Sequence, residues 1–327
     1  MTGVLIVGAA GMIGAKLTKR LLADGSVAGK TIDDMTLVDV VTPSKPDGAR
    51  FKVNAQAADL SAPGVAEAIV ASRPDFIFHL AAIVSGEAEA DFDKGYRVNL
   101  DGTRLLFEAI RKVGGGYRPR VVFTSSIAVF GAPFPDAIGD EFFQTPLTSY
   151  GTQKAIDELL LADYTRRGFM DGIGIRLPTI CVRPGKPNKA ASGFFSGIIR
   201  EPLAGHEAIL PVPETVRHWY ASPRSAVGFL VHAAGLDGTK LGARRNLTMP
   251  GVSATVGEQI AALRKIAGDA VAGHIRREPD ATIMRIVEGW PRNFAPERAL
   301  SLGFRAEKSF DEIIRIHIED ELGGRIA

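Results

Sequence analysis

The stretch Val4-Leu5-Ile6-Val7-Gly8-Ala9-Ala10-Gly11-Met12-Ile13-Gly14 decides the fold of this chain. Four consecutive apolar residues are typical of a strand that is buried on both faces. The glycine-rich segment then permits a tight turn, after which Leu17, Leu21 and Leu22 recur at helical spacing. A strand, a glycine turn and a helix in this order predict that a dinucleotide binds with its phosphates at the helix N-terminus.

Each glycine of this turn has its own expected role. Gly8 allows the tight turn, Gly11 lets a pyrophosphate approach the backbone, and Gly14 lets the helix and the strand pack closely. Met12 and Ile13 open the helix, where backbone N–H groups without helical partners favour a bound phosphate. The alternative is a turn that the fold alone requires.

Asp39 ends the second predicted strand, Met35-Thr36-Leu37-Val38, about 25 residues after Gly14. A carboxylate at this place accepts hydrogen bonds from the ribose hydroxyls of a dinucleotide and repels a 2′-phosphate. No arginine directly follows Asp39, and Arg50 lies well downstream. The sequence therefore predicts NAD rather than NADP as the cofactor, with a solvated strand-end aspartate as the alternative.

Composition narrows the class of protein. The chain has 327 residues, of which 46% are hydrophobic and 23% charged, with a formal net charge of +2. Such a balance is typical of a globular protein and gives no reason to expect a nucleic-acid or membrane partner. The single cysteine, Cys181, cannot form an intramolecular disulfide, and the N-terminus lacks the basic region of a signal peptide. We expect a cytoplasmic protein without a metal site.

Strands and helices alternate along the first 177 residues. Strands are predicted over 76–80, 120–123 and 172–177, and helices over 64–72, 93–113 and 150–167, the second of them interrupted near Asn99. This alternation predicts an α/β fold, a Rossmann-like doubly wound parallel sheet. Ligands of such sheets bind at the carboxyl ends of the strands.

Beyond residue 177 the pattern changes. We expect an NAD-binding domain over residues 1–177, to which 226–250 returns with a helix and a last strand. A smaller substrate-binding domain is expected from 178–225, a proline-rich and irregular segment, together with 251–327. Ser253 is the expected cap of a helix that ends near Ala267, and a last amphipathic helix is predicted over 310–321.

The stretch Thr148-Ser149-Tyr150-Gly151-Thr152-Gln153-Lys154 carries the candidate chemistry. Tyr150 and Lys154 are four residues apart at the start of a predicted helix, so they share one face of it. A nearby cation favours the phenolate and so suits the tyrosine for general-base catalysis. Tyr-x-x-x-Lys is a weak motif by itself, and an ordinary exposed helix start is the alternative.

In combination, five segments resemble the extended short-chain dehydrogenase/reductases: GAAGMIG (8–14), HLAA (79–82), VNLDGT (98–103), TSSIAVFG (124–131) and YGTQK (150–154). The resemblance covers most of the chain and implies NAD-dependent chemistry on a CH–OH group. It assigns Tyr150 as the base, Ser126 as the hydrogen-bond donor to the reacting oxygen, and Lys154 as the cation beside Tyr150. Asn99 is implied to help a proton path, and the register between Ser125 and Ser126 is open by one residue.

The resemblance also implies further cofactor contacts. Asp59 and Leu60 match the adenine contact, and Pro178 matches the position whose backbone holds the carboxamide. Leu80, Ala81 and Ala82 end the 76–80 strand, where small residues let a cofactor lie against the sheet. Asn99, Tyr150 and Lys154 are expected to contact the nicotinamide half. The helices at 93–113 and 150–167 resemble those that pair in homodimers of the family.

The substrate is predicted from a position at which this chain differs from other members of the family that it resembles. Members that act on nucleotide sugars carry an Arg-Asp pair before the helix at 226–234, whereas this chain has Arg217-His218 there. The blocks HLAAIVSGEAEADF (79–92), RLPTICVRPGKPNKAASGFFSGIIREPLAG (176–205) and GWPRNF (289–294) instead resemble members that oxidise the 2-hydroxyl of a four-carbon sugar acid with NAD. TSSIAVFG is also similar to the related L-threonine dehydrogenases.

A sugar acid requires a cationic anchor for its carboxylate and polar groups for its hydroxyls. The candidate substrate-binding residues, beside Ser126 and Tyr150, are Ser85, Thr179, Arg183, Lys186, Asn188, Lys189, Arg217 and Arg224. For each cation the alternative is a solvated surface charge. Two other functions stay open, a nucleotide-sugar 4-epimerase with bound NAD and a non-catalytic NAD-binding regulatory module.

Overall fold

The computed structural model describes residues 1–185 and 191–326, which divide into two compact units. Unit 1 comprises Met1–Val129, Thr148–Arg176 and Val227–Thr248, and unit 2 comprises Phe130–Leu147, Leu177–Ala226 and Met249–Ala327. The segment 130–147, which we expected in the NAD-binding domain, thus belongs to unit 2.

The described strands contain two to seven residues each. In chain order they are β1 (Gly3–Val7), β2 (Ser26–Val27), β3 (Lys30–Thr31), β4 (Asp34–Asp39), β5 (Lys52–Ala57), β6 (Phe76–His79), β7 (Arg120–Ser126), β8 (Ile138–Gly139), β9 (Asp171–Leu177), β10 (Thr179–Ile180), β11 (Ala208–Leu210), β12 (Arg217–Ala221), β13 (Asn246–Thr248), β14 (Val252–Thr255), β15 (Ile275–Arg277) and β16 (Phe294–Ala295).

The helices, in chain order, are α1 (Met12–Asp24), α2 (Val65–Val70), α3 (Ser85–Ala90), α4 (Phe92–Gly95), α5 (Gly102–Val113), α6 (Ser149–Arg166), α7 (Gly193–Leu203), α8 (Pro223–Gly235), α9 (Val256–Ala267), α10 (Asp269–Ala272), α11 (Ala281–Glu288), α12 (Glu297–Ser301) and α13 (Phe310–Glu321). A π-helix spans Tyr96–Asp101, and 3-10 turns span Ile127–Val129 and Gly238–Leu241.

Unit 1 is built on a doubly wound parallel sheet. Among the described residues, seven strands form it in the order β13-β9-β7-β6-β1-β4-β5, with parallel registers such as Val4 opposite Met35. The predicted fold class is therefore confirmed. The chain runs outward from β1 to β5 and then returns to β6 on the other side of β1. This reversal places a switch point between β1 and β6, where ligands of such sheets bind.

Apolar burial explains why these strands are central. Every residue of β1 and β6 is buried, because helices cover both faces of a parallel sheet. Leu5, Ile77 and Val121 form a core with Phe107 of α5 and Leu161 of α6. The alternating strand and helix patterns thus predicted the elements that bury apolar surface.

The predicted long helix over 93–113 is interrupted, as expected near Asn99. Helix α4 passes into the π-helix Tyr96–Asp101 before α5 begins at Gly102. The wider π-turn changes the direction of its side chains, and such turns are frequent at functional sites. Here it carries Asn99 into the interior of unit 1.

Unit 2 is more regular than its proline-rich sequence suggests. The prediction of an irregular segment over 178–225 was wrong, since α7, β10, β11 and β12 lie within it. Strand β12 pairs in parallel with β10 and antiparallel with β14. Phe195, Ile198, Tyr220, Leu263 and Ile313 belong to the buried core of this unit.

The expected cap at Ser253 was also wrong. Ser253 lies inside β14 opposite Trp219, and its hydroxyl donates to the Arg292 carbonyl. The N-cap of α9 is Thr255, two residues after Ser253, and it forms a capping box, in which Thr255 accepts from the Glu258 N–H and Glu258 accepts from the Thr255 N–H.

Across residues 1–185 and 191–326, no helix is both long and apolar enough to cross a membrane.

Candidate active site

The turn between β1 and α1 has no room for a side chain at two of its glycines, Gly8 and Gly14. Gly8 adopts φ +92°, and a Cβ on it would lie 2.6 Å from the Ala81 nitrogen. A Cβ on Gly14 would lie 2.1 Å from the Gly8 carbonyl oxygen, whereas one on Gly11 would meet that oxygen at an acceptable 3.4 Å. Gly8 and Gly14 are therefore required by the backbone, and Gly11 is open towards a ligand.

The N-terminus of α1 fits a phosphate group. Its N-cap, Gly11, offers no side chain to the first helical N–H groups, and the first turn contains no acidic residue. The N–H groups of Met12, Ile13 and Gly14 have no acceptor within the helix because of their position in its first turn. Such a set of donors, with the positive end of the helix dipole, binds the pyrophosphate of a dinucleotide.

Asp39 is held beside this turn by the backbone. Its Oδ2 accepts from the Ala10 N–H at 2.9 Å, and its Oδ1 accepts from the Val40 N–H at 2.7 Å. The Gly8 N–H donates to the Val38 carbonyl at 2.8 Å, which ties the end of β4 to the glycine turn. Each carboxylate oxygen retains a further lone pair, so Asp39 can accept hydrogen bonds from a ribose.

Replacement of Asp39 by alanine is expected to reduce the preference for NAD over NADP by about tenfold or more, because each charge-assisted hydrogen bond contributes about 1.5–3 kcal/mol. The Kd values of both cofactors, measured by fluorescence titration, check this. Asp33→Ala, which alters an exposed carboxylate outside the turn, is the control. Unchanged discrimination against NADP in Asp39→Ala would contradict the role in ribose binding.

The other predicted cofactor residues of unit 1 follow strands of the same sheet. Asp59 accepts from the Ser61 hydroxyl and N–H at 2.6 and 2.9 Å, and these hydrogen bonds lower its pKa. Leu60 is buried in the core of unit 1. Leu80 and Ala81 both donate their N–H groups to the Val7 carbonyl, at 2.8 and 3.0 Å. These bonds bring the end of β6, with half-buried Ala82 after it, beside the Gly8 turn.

The two serines that end β7 point in different directions. Ser125 is buried, and its hydroxyl donates to Glu158 of α6, which also binds Arg176 of β9 with an Nη2–Oε2 distance of 2.7 Å. Ser126 is half-buried, and its hydroxyl oxygen accepts from the Ala128 N–H at 3.1 Å. An oxygen that accepts from the backbone keeps its own proton for another acceptor. Ser126 is therefore the serine whose hydroxyl can donate to a ligand.

The two serines should give opposite effects when changed to alanine. Ser126→Ala is expected to lower kcat about 100-fold with an unchanged Tm, because one donor to the reacting oxygen is lost. Ser125→Ala should lower the free energy of unfolding by about 1–3 kcal/mol, since the buried Glu158 loses a hydrogen bond. Steady-state kinetics and thermal unfolding check both. Full activity in Ser126→Ala would contradict its assignment.

Tyr150 and Lys154 lie on one face of α6. Thr148 caps this helix by accepting the Gly151 N–H at 3.1 Å, which fixes where the helix starts. The Lys154 Nζ lies 5.9 Å from the centre of the Tyr150 ring and 4.6 Å from that of Phe123. The i,i+4 spacing thus brings the ammonium beside the Tyr150 ring in unit 1.

Lys154 is buried, with 1% of its surface exposed. Burial lowers its pKa to about 8, although Asp157 and Glu158 act in the opposite direction. The cation therefore costs stability, a cost that a chain tolerates where a charge has a function. Below pH 8 the charged form of the lysine is therefore the main one.

Lys154→Met should separate stability from activity. We expect kcat to fall about 100-fold, while Tm stays equal or rises because a buried charge is removed. The rise should be largest below pH 8, where folding keeps the charge buried, and should fade as the pH approaches 10.5, the ordinary pKa of lysine. Thermal unfolding of both proteins from pH 7 to 10 checks this sign. A lower Tm at every pH would contradict it.

Asn99 is fully buried and its side-chain amide is already bonded. Its Oδ1 accepts from the Ile83 N–H at 2.8 Å, and its Nδ2 donates to Gln153 Oε1 at 2.7 Å and to the Ile83 carbonyl at 3.3 Å. The Asn99 carbonyl accepts from Thr103 at 2.6 Å. Asn99 therefore ties the chain after β6 to α6, one residue before Lys154.

Sequence reasoning missed the buried polar side of α6. Gln153, Asp157 and Glu158 are buried together with Lys154, and burial raises the pKa of Asp157. The available signal was spacing, since 153 with 157 and 154 with 158 are i,i+4 pairs. Polar residues at helical spacing usually form a solvated face, so the spacing alone predicted that this side of α6 is exposed.

Among the predicted substrate residues, Ser85 is in unit 1, where it is the first residue of α3. Pro178 and Thr179 follow β9, and Thr179 begins β10 of unit 2. Lys186, Asn188 and Lys189 lie outside the described residues. The arginines Arg183, Arg217 and Arg224 are all described and belong to unit 2.

The three arginines differ in what they already bind. Arg224 is bound to Glu319 at 2.9 Å and to Asp320, and Arg217 to Glu258 at 3.3 Å and to the Ser253 carbonyl. Arg183 donates its Nε to the Ile180 carbonyl at 3.1 Å and its Nη2 to the Ser192 hydroxyl at 3.4 Å. Arg217 and Arg224 are thus both paired with carboxylates of unit 2.

Residues 8–14, the glycine cradle, lie at the switch point of a parallel sheet, with the Asp39 carboxylate hydrogen-bonded to them and a buried Lys154 beside Tyr150. These features define an NAD-dependent oxidoreductase. A model of the NAD dependent epimerase/dehydratase family matches residues 4–220. The chain belongs to this family, and its cofactor is NAD.

Two curated relatives match almost the whole chain. D-erythronate dehydrogenase of Cupriavidus necator is 50% identical over 321 residues, which cover 97% of this chain and 98% of the relative. D-erythronate dehydrogenase of Haemophilus influenzae is 43% identical over 319 residues, 98% of this chain and 99% of the relative.

A similar crystal structure carries another functional description. The nucleoside-diphosphate-sugar epimerase from Agrobacterium tumefaciens shares 68% sequence identity and superposes with a TM-score of 0.98, covering 100% of this chain and 96% of that one. The reactions in the names of these three relatives differ.

Proposed function

We propose that this enzyme uses NAD to oxidise the 2-hydroxyl of a small sugar acid. The first candidate substrate is D-erythronate, which would give 2-oxo-tetronate. The observation that carries this proposal is the 50% identity to a D-erythronate dehydrogenase over 97% of the chain. A second such dehydrogenase at 43% identity supports it. The glycine cradle and the Ser126, Tyr150 and Lys154 side chains of unit 1 are those that an alcohol oxidation requires.

The proposed chemistry divides between three side chains. Tyr150, as phenolate, takes the proton of the substrate hydroxyl. Ser126 donates a hydrogen bond to the same oxygen as it becomes a carbonyl. Lys154 holds positive charge near the Tyr150 ring and so favours the phenolate. NAD, when bound, supplies the acceptor for the hydride that leaves the substrate carbon.

Asn99 has a positioning role in this proposal. Its amide links the chain after β6 to Gln153, the residue that precedes Lys154. A rigid link next to a catalytic side chain limits its movement, and placement within fractions of an ångström matters to the rate. We therefore assign Asn99 to holding Lys154, rather than to the proton path that the resemblance implies.

For the substrate carboxylate, Arg183, Arg217 and Arg224 stay the described candidates, and alanine variants of each, compared by their KM for D-erythronate, would identify the anchor. Arg217 and Arg224 are bound to carboxylates of their own unit, Glu258 in one case and Glu319 with Asp320 in the other. Arg183 lies six residues after the end of β9, and its guanidinium is held by the Ile180 carbonyl and the Ser192 hydroxyl.

A second candidate function is a nucleotide-sugar epimerase, because a 68% identical structure is described as one. An epimerase of this family would reduce its bound NAD and reoxidise it in each cycle. His218 argues against a nucleotide-sugar substrate, because members of the family that act on nucleotide sugars have an aspartate at this position. A regulatory module that only binds NAD is disfavoured by the intact Ser126, Tyr150 and Lys154 set.

One assay separates these functions. The purified enzyme is incubated with NAD and D-erythronate, and the absorbance of NADH is followed; UDP-glucose and UDP-galactose are tested in parallel by product analysis. Continuous NADH formation with D-erythronate is the expected result. Interconversion of the UDP-sugars without NADH formation would support the epimerase and overturn the dehydrogenase. NAD binding without either reaction would leave the regulatory module.

Homodimer formation through the helices at 93–113 and 150–167 and a cytoplasmic location stay predictions. The former is checked by measuring the molar mass of the enzyme in solution.

A further inference from the structure

Thr179 and His218 form a buried polar pair in unit 2. The Thr179 Oγ1 lies 2.7 Å from the His218 Nε2, and the His218 Nδ1 lies 2.8 Å from the Pro291 carbonyl oxygen. His218 is 3% exposed, whereas Thr179 is half-buried and keeps some accessible surface. The pair joins adjacent strands, since β10 and β12 run parallel with Thr179 opposite Tyr220.

The hydrogen bonds determine where the protons are. A carbonyl oxygen can only accept, so the His218 Nδ1 carries the hydrogen that it donates to Pro291. Burial lowers the pKa of His218 to about 4, so the ring is neutral at neutral pH and its Nε2 has no hydrogen. Nε2 therefore accepts, and the Thr179 hydroxyl must donate to it.

Aromatic packing holds this ring in place. The Phe195 ring stacks on the His218 ring, with their centroids 5.3 Å apart and their planes 7° from parallel. The centroid of the Trp290 ring is also 5.3 Å from that of His218. A 180° turn of the imidazole would put carbon atoms against both Thr179 and Pro291 and would lose both hydrogen bonds. The direction of the Thr179 hydroxyl is thus fixed before any ligand binds.

A threonine hydroxyl has one donor and two acceptor positions. Because its hydrogen is committed to His218, Thr179 can offer only lone pairs to a ligand. A substrate hydroxyl can donate to such an oxygen, whereas a carboxylate or a carbonyl would meet it as a second acceptor and be repelled. Thr179 follows the carboxyl end of β9 by two residues, the end at which parallel sheets bind ligands.

We propose that His218 makes Thr179 an acceptor-only specificity residue, which recognises a non-reacting hydroxyl of the substrate and excludes its carboxylate from this position. This inference rests on the proposed oxidation of a sugar acid and adds a requirement that the substrate must meet. The acid must carry a donor hydroxyl beyond C2, at C3 or C4. His218 is a positioning residue, since it acts through Thr179.

The test compares D-erythronate with its 3-deoxy and 4-deoxy analogues in the wild-type enzyme and in variants. We expect kcat/KM to fall about 10- to 100-fold for one of the two analogues in the wild type, because a site built for a hydroxyl rejects the substrate that lacks it. In Thr179→Val this discrimination should disappear, mostly through a higher KM for D-erythronate. Thr179→Ser, which keeps the hydroxyl, should retain it.

A second variant addresses the proton directly. His218→Phe keeps an aromatic ring between Phe195 and Trp290 but removes the acceptor, so Thr179 becomes free to donate. It should lose the discrimination between D-erythronate and the deoxy analogue as Thr179→Val does. In the wild type, nitrogen-15 NMR should show His218 with a protonated Nδ1 and an unprotonated Nε2, and Thr179→Val should shift the Nε2 signal.

The outcomes separate this inference from the proposed function. NADH formation with D-erythronate, together with equal discrimination in wild type and Thr179→Val, would overturn the role of Thr179 and leave the dehydrogenase intact. A protonated Nε2 at neutral pH would overturn the acceptor-only state whatever the substrate. No NADH from D-erythronate or either analogue in the wild type would overturn the proposed function and, with it, the hydroxyl requirement.

Discussion

Replacement of Tyr150 by phenylalanine is expected to lower kcat by about 1,000-fold or more while the Kd of NAD changes less than about threefold. General-base catalysis contributes about 10²–10⁴ to a rate, and phenylalanine retains the ring while it removes the only atom that takes the proton. NAD affinity should persist because the glycine cradle and Asp39, which we expect to bind the nucleotide half of the cofactor, are unchanged. Stopped-flow kinetics with D-erythronate and fluorescence titration with NAD give the two quantities.

Tyr164→Phe is a matched control for this variant. Tyr164 lies on the same helix, α6, but its hydroxyl donates to Glu108 of α5 within unit 1. The same chemical change there should reduce stability slightly and leave kcat unchanged. Near-normal turnover in Tyr150→Phe would remove Tyr150 from the mechanism. An equal loss in Tyr164→Phe would mean that damage to α6, rather than the loss of a base, explains the result.

The second large effect is expected from Gly14→Ala. The added Cβ would lie 2.1 Å from the Gly8 carbonyl oxygen and 2.7 Å from the Ala9 Cα. Both are backbone atoms between β1 and α1, so no side chain can turn aside to make room. We expect the free energy of unfolding to fall by about 3 kcal/mol or more. Thermal unfolding should show a Tm at least about 5 °C lower, and NAD binding should be lost.

Gly11→Ala is the matched control for the cradle. Gly11 has φ −65°, which any residue adopts, and its added Cβ would meet only the Gly8 carbonyl at 3.4 Å. Its Tm should therefore stay within about 2 °C of the wild type, while NAD affinity falls because a methyl group occupies the path of the pyrophosphate. Equal losses of Tm in the two variants would contradict the assignment of packing to Gly14 and ligand approach to Gly11.

Where apolar periodicity determines the structure, the sequence sufficed to predict it. Val4–Val7, Phe76–His79 and the residues around Ile175 are buried strands because no other element could hide such runs. The interruption near Asn99 was predicted from polar residues and a glycine within a helical pattern, and it proved to be a π-helix. These features are local, so the sequence carries them.

Unit 2 could be predicted less well because tertiary contacts decide its elements. Prolines at 178, 184, 202 and 211 suggested irregular chain, yet α7 accommodates Pro202 near its end and β12 is stabilised by pairing with β10 and β14. Ser253 looked like a helix cap, although strand pairing with Trp219 moved the true cap to Thr255. Pairing partners distant in sequence are invisible to a local pattern.

The candidate site shows the same division. The i,i+4 spacing placed Lys154 beside Tyr150, because helix geometry alone determines it. The choice between Ser125 and Ser126 depended on Glu158 and Arg176, two residues far along the chain whose burial was not apparent. The Thr179–His218 pair likewise required the β10–β12 pairing. The effect of His218 on Thr179 is apparent only from the hydrogen bonds of the folded chain.

The central proposal is oxidation at C2 of a sugar acid with release of NADH. It is tested most directly with D-erythronate that carries deuterium at C2, incubated with NAD and the enzyme. The account predicts free NADH with deuterium at C4 of the nicotinamide, and a lower kcat/KM than with unlabelled substrate wherever hydride transfer limits the rate. Unlabelled NADH would show that another carbon is oxidised, and the absence of free NADH would contradict the dehydrogenase altogether.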